Sequence, residues 1–128
     1  LTEGARRPAE NVLALNETPS DYVSLLGACD AVITKPGYGI VADCLANRVA
    51  VLFTERGPFR EYDVLAEALP RLGRACHIPR EALIRGDCGP YLDRLFERGA
   101  AWTDEPTDGA DVVADRTLSN LTVKQQSR

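Results

Sequence analysis

Ala31-Val32-Ile33-Thr34-Lys35-Pro36-Gly37-Tyr38-Gly39-Ile40-Val41-Ala42-Asp43-Cys44-Leu45 is the stretch that decides the fold. Its first four residues form an apolar, β-branched run of strand type, cut off by Pro36 and Gly37. Beyond the turn the period changes, with Val41, Cys44, Leu45 and Arg48 recurring at helical spacing. A strand therefore passes through a glycine turn into a helix with no spare residues. The same unit repeats on the C-terminal side. Val49 to Thr54 reads as a strand, Glu55 to Arg60 as a loop, and Tyr62, Leu65, Ala66 and Leu69 as a helical stripe before Pro70. On the N-terminal side, Pro19, Ser20 and Asp21 predict a helix start with Ser20 as N-cap. Tyr22, Leu25, Leu26 and Cys29 form its buried face, and Val12 to Leu15 forms a short strand before it.

Continuous apolar strands separated by amphipathic helices imply a parallel sheet covered on both faces, because each crossover lays its helix against the sheet. Further on, Ala75 to Ile78 suggests a fourth short strand. Tyr91, Leu92, Leu95 and Phe96 define a helix ending at Gly99, and Ala110, Val113, Ala114, Thr117 and Leu121 a final helix. The expected fold is α/β: a three-layer, Rossmann-like domain with a mainly parallel sheet of about four strands. It spans residues 1–123 and is followed by a polar, frayed tail at 124–128.

Composition narrows the function. The chain of 128 residues has room for one core, so anything it does is done on one domain. Its net charge of -4 disfavours coating a phosphate backbone, so nucleic acid is not an expected partner. The longest run of apolar residues and glycine, Gly37 to Ala42, is far short of the roughly twenty residues a membrane span needs. No signal-peptide core stands at the start. Cys29, Cys44, Cys76 and Cys88 include no CxxC pair, and His77 is the single histidine, so no metal site is expected. Cys29 and Cys44 lie on helical stripes, the place of buried free thiols in a cytoplasmic protein. The chain contains no methionine, so Leu1 is not a translation start, and a processed product or an excised piece of a longer protein is expected.

In open α/β sheets the ligand lies beyond the carboxyl ends of the strands, which brings together the loops Asn16–Asp21, Lys35–Gly39 and Glu55–Asp63. The middle loop places two glycines and a cation where a strand becomes a helix. Glycine admits close backbone approach, and the first helical turn with its dipole favours an anion such as a diphosphate. A Pro-Gly turn also serves geometry alone, and GxG without a third glycine or a Walker lysine is a short pattern. Asp43, one turn into the helix, is placed either to accept ribose hydroxyls or to complement the helix dipole. The third loop is dense in charge, with Glu55, Arg56, Arg60, Glu61 and Asp63 around Gly57, Pro58, Phe59 and Tyr62, and two of these are also ordinary helix-capping choices.

Taken together, the segment Lys35-Pro36-Gly37-Tyr38-Gly39-Ile40-Val41-Ala42-Asp43, the helix through Arg48 and the strand to Phe53 resemble the donor-binding, carboxy-terminal lobe of GT-B glycosyltransferases. The likeness is to the family of the N-acetylglucosaminyltransferase that acts on lipid-linked muramyl peptide. With Arg56-Gly57 and Arg60-Glu61-Tyr62-Asp63, it looks closer still to the glycosyltransferase-like segment of L-arabinokinases. This resemblance, over about Asn11 to Ile78, implies that Gly37, Tyr38 and Gly39 present N–H groups to the diphosphate of a nucleotide sugar. Lys35 would add charge, Asp43 would stand at the ribose, and Glu61 and Tyr62 at the donor sugar. The family's acidic residue is a glutamate, one methylene longer than Asp43.

The resemblance further implies a UDP-sugar as the donor and no separate cofactor. The acceptor lobe, with its usual catalytic base, would come from the rest of the gene product or from a separate subunit. It leaves His77 structural and no catalytic residue assigned, so this lobe would act by stabilising the departing diphosphate. Two other readings stay open: a non-catalytic nucleotide-sugar-binding or regulatory domain, and an α/β interaction domain.

Overall fold

The computed structural model describes Val12 and residues 21–97, 102–106 and 108–126. The expected strand at Val12–Leu15, apart from Val12, and the loop up to Ser20 lie outside them. The order of elements is α1 (Tyr22–Gly27), β1 (Ala31–Thr34), α2 (Tyr38–Ala46), β2 (Ala50–Phe53), α3 (Tyr62–Leu72), β3 (Ala75–His77), α4 (Arg80–Arg85), α5 (Gly89–Glu97) and α6 (Gly109–Gln126). Among the described residues, three strands form one parallel sheet in the order β1-β2-β3. Ala31 is paired with Ala50, Thr34 with Phe53, Val51 with Ala75 and Phe53 with His77.

The central strand β2 is buried along its whole length. Its side chains alternate between two cores, as the strand period requires. Val51 and Phe53 pack with Leu26 of α1, Val41 and Cys44 of α2, and Leu65 and Leu69 of α3. Ala50 and Leu52 pack on the opposite face with Cys76, Ile78, Ala82 of α4 and Leu95 of α5. Two right-handed crossovers that advance in the same direction put α2 and α3 on one face, and α5 crosses β2 and β3 on the other. The result is the expected α/β architecture, a three-layer, Rossmann-like domain. Burying Leu52, which has no exposed surface, contributes about 1.5–3 kcal/mol.

Several local expectations change. The N-cap of α1 is Asp21, not Ser20, because the Asp21 carboxylate accepts from the Ser24 N–H at 3.2 Å. That helix ends at Gly27, so Cys29 lies beyond it and is exposed rather than buried, its thiol donating to the Leu25 carbonyl at 3.3 Å. Arg48 likewise falls past α2, with φ of 55°, and pairs with Asp104 at 3.1 Å instead of extending the stripe. Helix α3 runs through the exposed Pro70 to Leu72, losing one ladder hydrogen bond without breaking. The short helix α4 was not expected, since six residues with one buried anchor, Ala82, carry little periodic signal. Helix α6 extends to Gln126, so its backbone includes residues expected to fray, while Val113 and Leu121 stay exposed.

After α5 the chain returns under the amino ends of the strands. The Thr103 N–H and hydroxyl both donate to the Leu72 carbonyl, at 3.1 and 2.9 Å. Trp102 lies so close to Gly73 that a Cβ at that position would meet its ring carbons Cζ3 and Cε3 at under 3.0 Å. The end of α3 thus tethers the segment that leads into α6. Gly73→Val is expected to expel Trp102 at a cost of about 1–3 kcal/mol. Because Trp102 is the single tryptophan, its fluorescence should shift to the red; an unshifted spectrum would contradict this packing.

Candidate functional site

The carboxyl ends of β1, β2 and β3 open on three loops. In the first, Lys35 is exposed, Pro36 is buried, and Gly37 is the N-cap of α2, in extended backbone with φ of -154°. Among the described residues no side chain caps this helix. Its first turn, Tyr38-Gly39-Ile40, therefore starts with N–H groups that no cap satisfies. Tyr38 is 57% exposed, and a Cβ on Gly39 would meet nothing within 4 Å.

The loop after β2 crosses toward both neighbours by means of two adjacent residues. Arg56 turns to the first loop, its Nη1 donating to the Pro36 carbonyl at 3.1 Å while its guanidinium lies 4.1 Å from the centre of the Phe59 ring. A Cβ on Gly37 would come within 2.9 Å of that guanidinium nitrogen. A side chain at this position would make the end of the Arg56 side chain shift, and two cations, Lys35 and Arg56, flank the start of α2. Glu55 turns the other way. Its Oε2 accepts from the Thr54 hydroxyl at 2.9 Å and from the Arg80 N–H at 3.0 Å, and its Oε1 stands 2.9 Å from His77 Nε2. Its own main-chain N–H lowers the Glu55 pKa most; burial opposes this, and Thr54, His77 and Arg80 add to the lowering.

Glu61 is the N-cap residue of α3, exposed, with no capping bond from its side chain. Tyr62 beside it is half-buried, and burial, followed by the charges of Glu55 and Asp63, raises its hydroxyl pKa. Lys35, Gly37, Tyr38, Gly39, Glu61 and Tyr62 are thus gathered at the carboxyl edge of the sheet, on the first two loops. Asp43 stands apart, half-buried on the flank of α2. Burial, then Asp43 and then Cys29, push the neighbouring Cys44 thiol up to about 11, which leaves it inert at neutral pH. Asp43 lines a concavity of about 400 Å³ with Ala42, Leu45, Ala46, Thr103 and Glu105, and no residue of the three loops lines it.

Glu55 and Arg56 were read only as members of the charged third loop and His77 as structural, so none of the three was assigned a site role from the sequence. The signal was an opposite-charge pair, Glu55-Arg56, directly after a fully buried strand, where the two side chains must leave the chain in different directions. Among the described residues no group of His, Cys, Asp and Glu could hold a metal ion, and no helix is long and apolar enough to cross a membrane.

No family model matches the chain, and no solved structure matches it. Over 87 residues, 61% of this chain, the sequence is 29% identical to the L-arabinokinase of Arabidopsis thaliana. The matched region is 8% of that relative's length. The chain is distantly similar to a small part of a sugar-related enzyme.

Proposed function

We propose that this unit is the donor-binding lobe of a glycosyltransferase that takes a nucleoside diphosphate sugar, a UDP-sugar first among them, and works with an acceptor lobe. That lobe belongs to the same gene product or to a separate subunit. One observation carries the reading: the uncapped start of α2, with Gly37 bare, lies between Lys35 and Arg56 at the carboxyl edge of a parallel sheet. Helix N–H groups, a helix dipole and two cations are what a diphosphate requires.

The remaining residues divide the donor along its length. Asp43, six residues beyond Gly37, is about 9 Å along the helix axis, which suits a ribose when the diphosphate is at Gly37. Glu61 and Tyr62, across the Arg56 loop, are left for hydroxyls of the transferred sugar. In the transfer step, the α2 N–H groups, Lys35 and Arg56 stabilise the negative charge that grows on the departing diphosphate. The likeness to part of L-arabinokinase supports a sugar-related role without supplying the donor.

Calorimetry with UDP, GDP, their sugars and inorganic diphosphate tests the reading. A nucleoside diphosphate is expected to bind, Gly37→Val to abolish binding, and Arg56→Ala to weaken UDP and inorganic diphosphate alike by about tenfold or more, the loss of one charge-assisted bond. Asp43→Ala is expected to weaken UDP and leave diphosphate unchanged. Absence of binding by every nucleoside diphosphate would overturn the assignment.

The Glu55 clamp, which sets the path of the Arg56 loop, makes stability depend on pH. Its folded pKa lies below the ordinary value of 4.5, so its stabilisation is fully present above that value and is lost as pH falls through the folded pKa. The melting temperature of the wild type is therefore expected to exceed that of Glu55→Gln at pH 7, and the gap to close as pH falls below 4.5 and through the folded pKa. A gap that is constant with pH would contradict the clamp.

A further inference from the structure

The Glu55–His77 pair lies outside the donor contacts proposed above, and its geometry is more than the bracing of a loop requires. Oε2 of Glu55, bonded to Thr54 and to the Arg80 N–H at the start of α4, would by itself fix the loop. Oε1 is instead spent on His77 Nε2, at 2.9 Å. An ionised carboxylate offers only lone pairs, so a nitrogen this close to it must carry the imidazole proton. In the neutral ring the lone pair is then on Nδ1, and among the described residues Nδ1 has no partner. The ring is steadied by the tilted contact with Phe53, 5.5 Å between centroids. Its side chain is still 40% exposed, at the carboxyl edge of β3, where the loops meet.

We infer that Glu55 and His77 form a proton-accepting dyad, in which His77 Nδ1 takes a proton from a hydroxyl nucleophile and Glu55 is the positioning residue that holds the imidazole and balances the imidazolium. The identity of that nucleophile rests on the donor-binding reading. There, the proton of an acceptor hydroxyl or a water passes to Nδ1, and the O–H electron pair stays with the oxygen that bonds to the anomeric carbon. The bond from that carbon to the diphosphate oxygen breaks, and its pair leaves with the nucleoside diphosphate. The dyad itself rests on no nucleotide.

The test uses p-nitrophenyl acetate as a probe of the imidazole, in a Cys29→Ser background that removes the exposed thiol. The Nδ1 lone pair attacks the ester carbonyl, p-nitrophenolate leaves with the bonding pair, and the Nε2 proton is released to solvent, which leaves a neutral acyl-imidazole. Water then hydrolyses the acyl-imidazole to acetate and a proton. His77 is the single histidine, so the part of the release that is lost in His77→Gln comes from one imidazole, and the part that remains is the background from amines, phenols and thiols. Release is expected to be about tenfold or more faster than with free N-acetylhistidine, within the range of positioned acid–base groups. It should fall to background in His77→Gln and His77→Asn, and drop toward the free-imidazole rate in Glu55→Gln, with Trp102 fluorescence as the folding control. A wild-type rate equal to that of N-acetylhistidine, or an unchanged rate in Glu55→Gln, would overturn the dyad. UDP binding measured on the same samples separates the two proposals. A chain that binds UDP but fails with the ester loses the dyad alone, whereas one that passes with the ester but binds no nucleoside diphosphate loses the donor reading alone.

Discussion

Strand β2 has water on neither face, and the rest of the structure is arranged to make that possible. Four consecutive residues, Ala50 to Phe53, are each no more than 2% exposed, a state that a strand reaches only with paired neighbours on both edges and helices above and below. The parallel ladders to β1 and β3 satisfy its backbone groups. Helices α2 and α3 cover Val51 and Phe53, while α4 and α5 cover Ala50 and Leu52. Each covering helix is an obligatory part of a crossover or of the return from one. The position of the helix starts at the carboxyl edge follows directly, because a parallel strand that enters the core must turn at its end into the helix that covers it.

The candidate site grows out of that edge. Thr54, the residue after β2, is buried and donates its N–H to the Thr34 carbonyl, so the ladder continues one step beyond the strand. Glu55 and Arg56 then emerge in opposite directions and tie the second loop to the third and to the first. The guanidinium of Arg56 is held over Gly37 by a carbonyl and an aromatic ring, neither of which neutralises its charge. The carboxylate of Glu55 is held by a hydroxyl, an N–H and an imidazole. One short loop thereby sets a cation beside a bare helix start and an oriented imidazole two strands away.

Much of this was legible before any fold was known, and the reasons are local. The apolar runs at Ala31–Thr34 and Val49–Thr54, and the 3.6-residue stripes through Val41 and Leu65, carry their structure in a few adjacent residues. The Pro36-Gly37 turn announces where one period gives way to the other. The failures were also local. Cys29 and Arg48 continue helical stripes on paper, yet α1 and α2 end before reaching them, because the chain must turn back to enter β1 and β2. Pro70 reads as a stop but stands exposed in the last turns of α3, where the packing of Leu65 and Leu69 outweighs one missing hydrogen bond.

The amino-acid sequence alone determined the α/β class, the parallel sheet and the glycine-bearing helix start, since these depend on periodicity and turn chemistry within some ten residues. Only the tertiary structure decided which charges serve that start. Arg56 meets Pro36 across twenty positions, and Glu55 meets His77 between the adjacent strands β2 and β3, because the register of β1, β2 and β3 aligns their ends. Asp43, close to Gly37 along the chain, faces instead the concavity built with the returning segment at Thr103 and Glu105. The direction of a side chain on a helix flank is set by what packs around the helix, and those neighbours come from some sixty residues away in the chain.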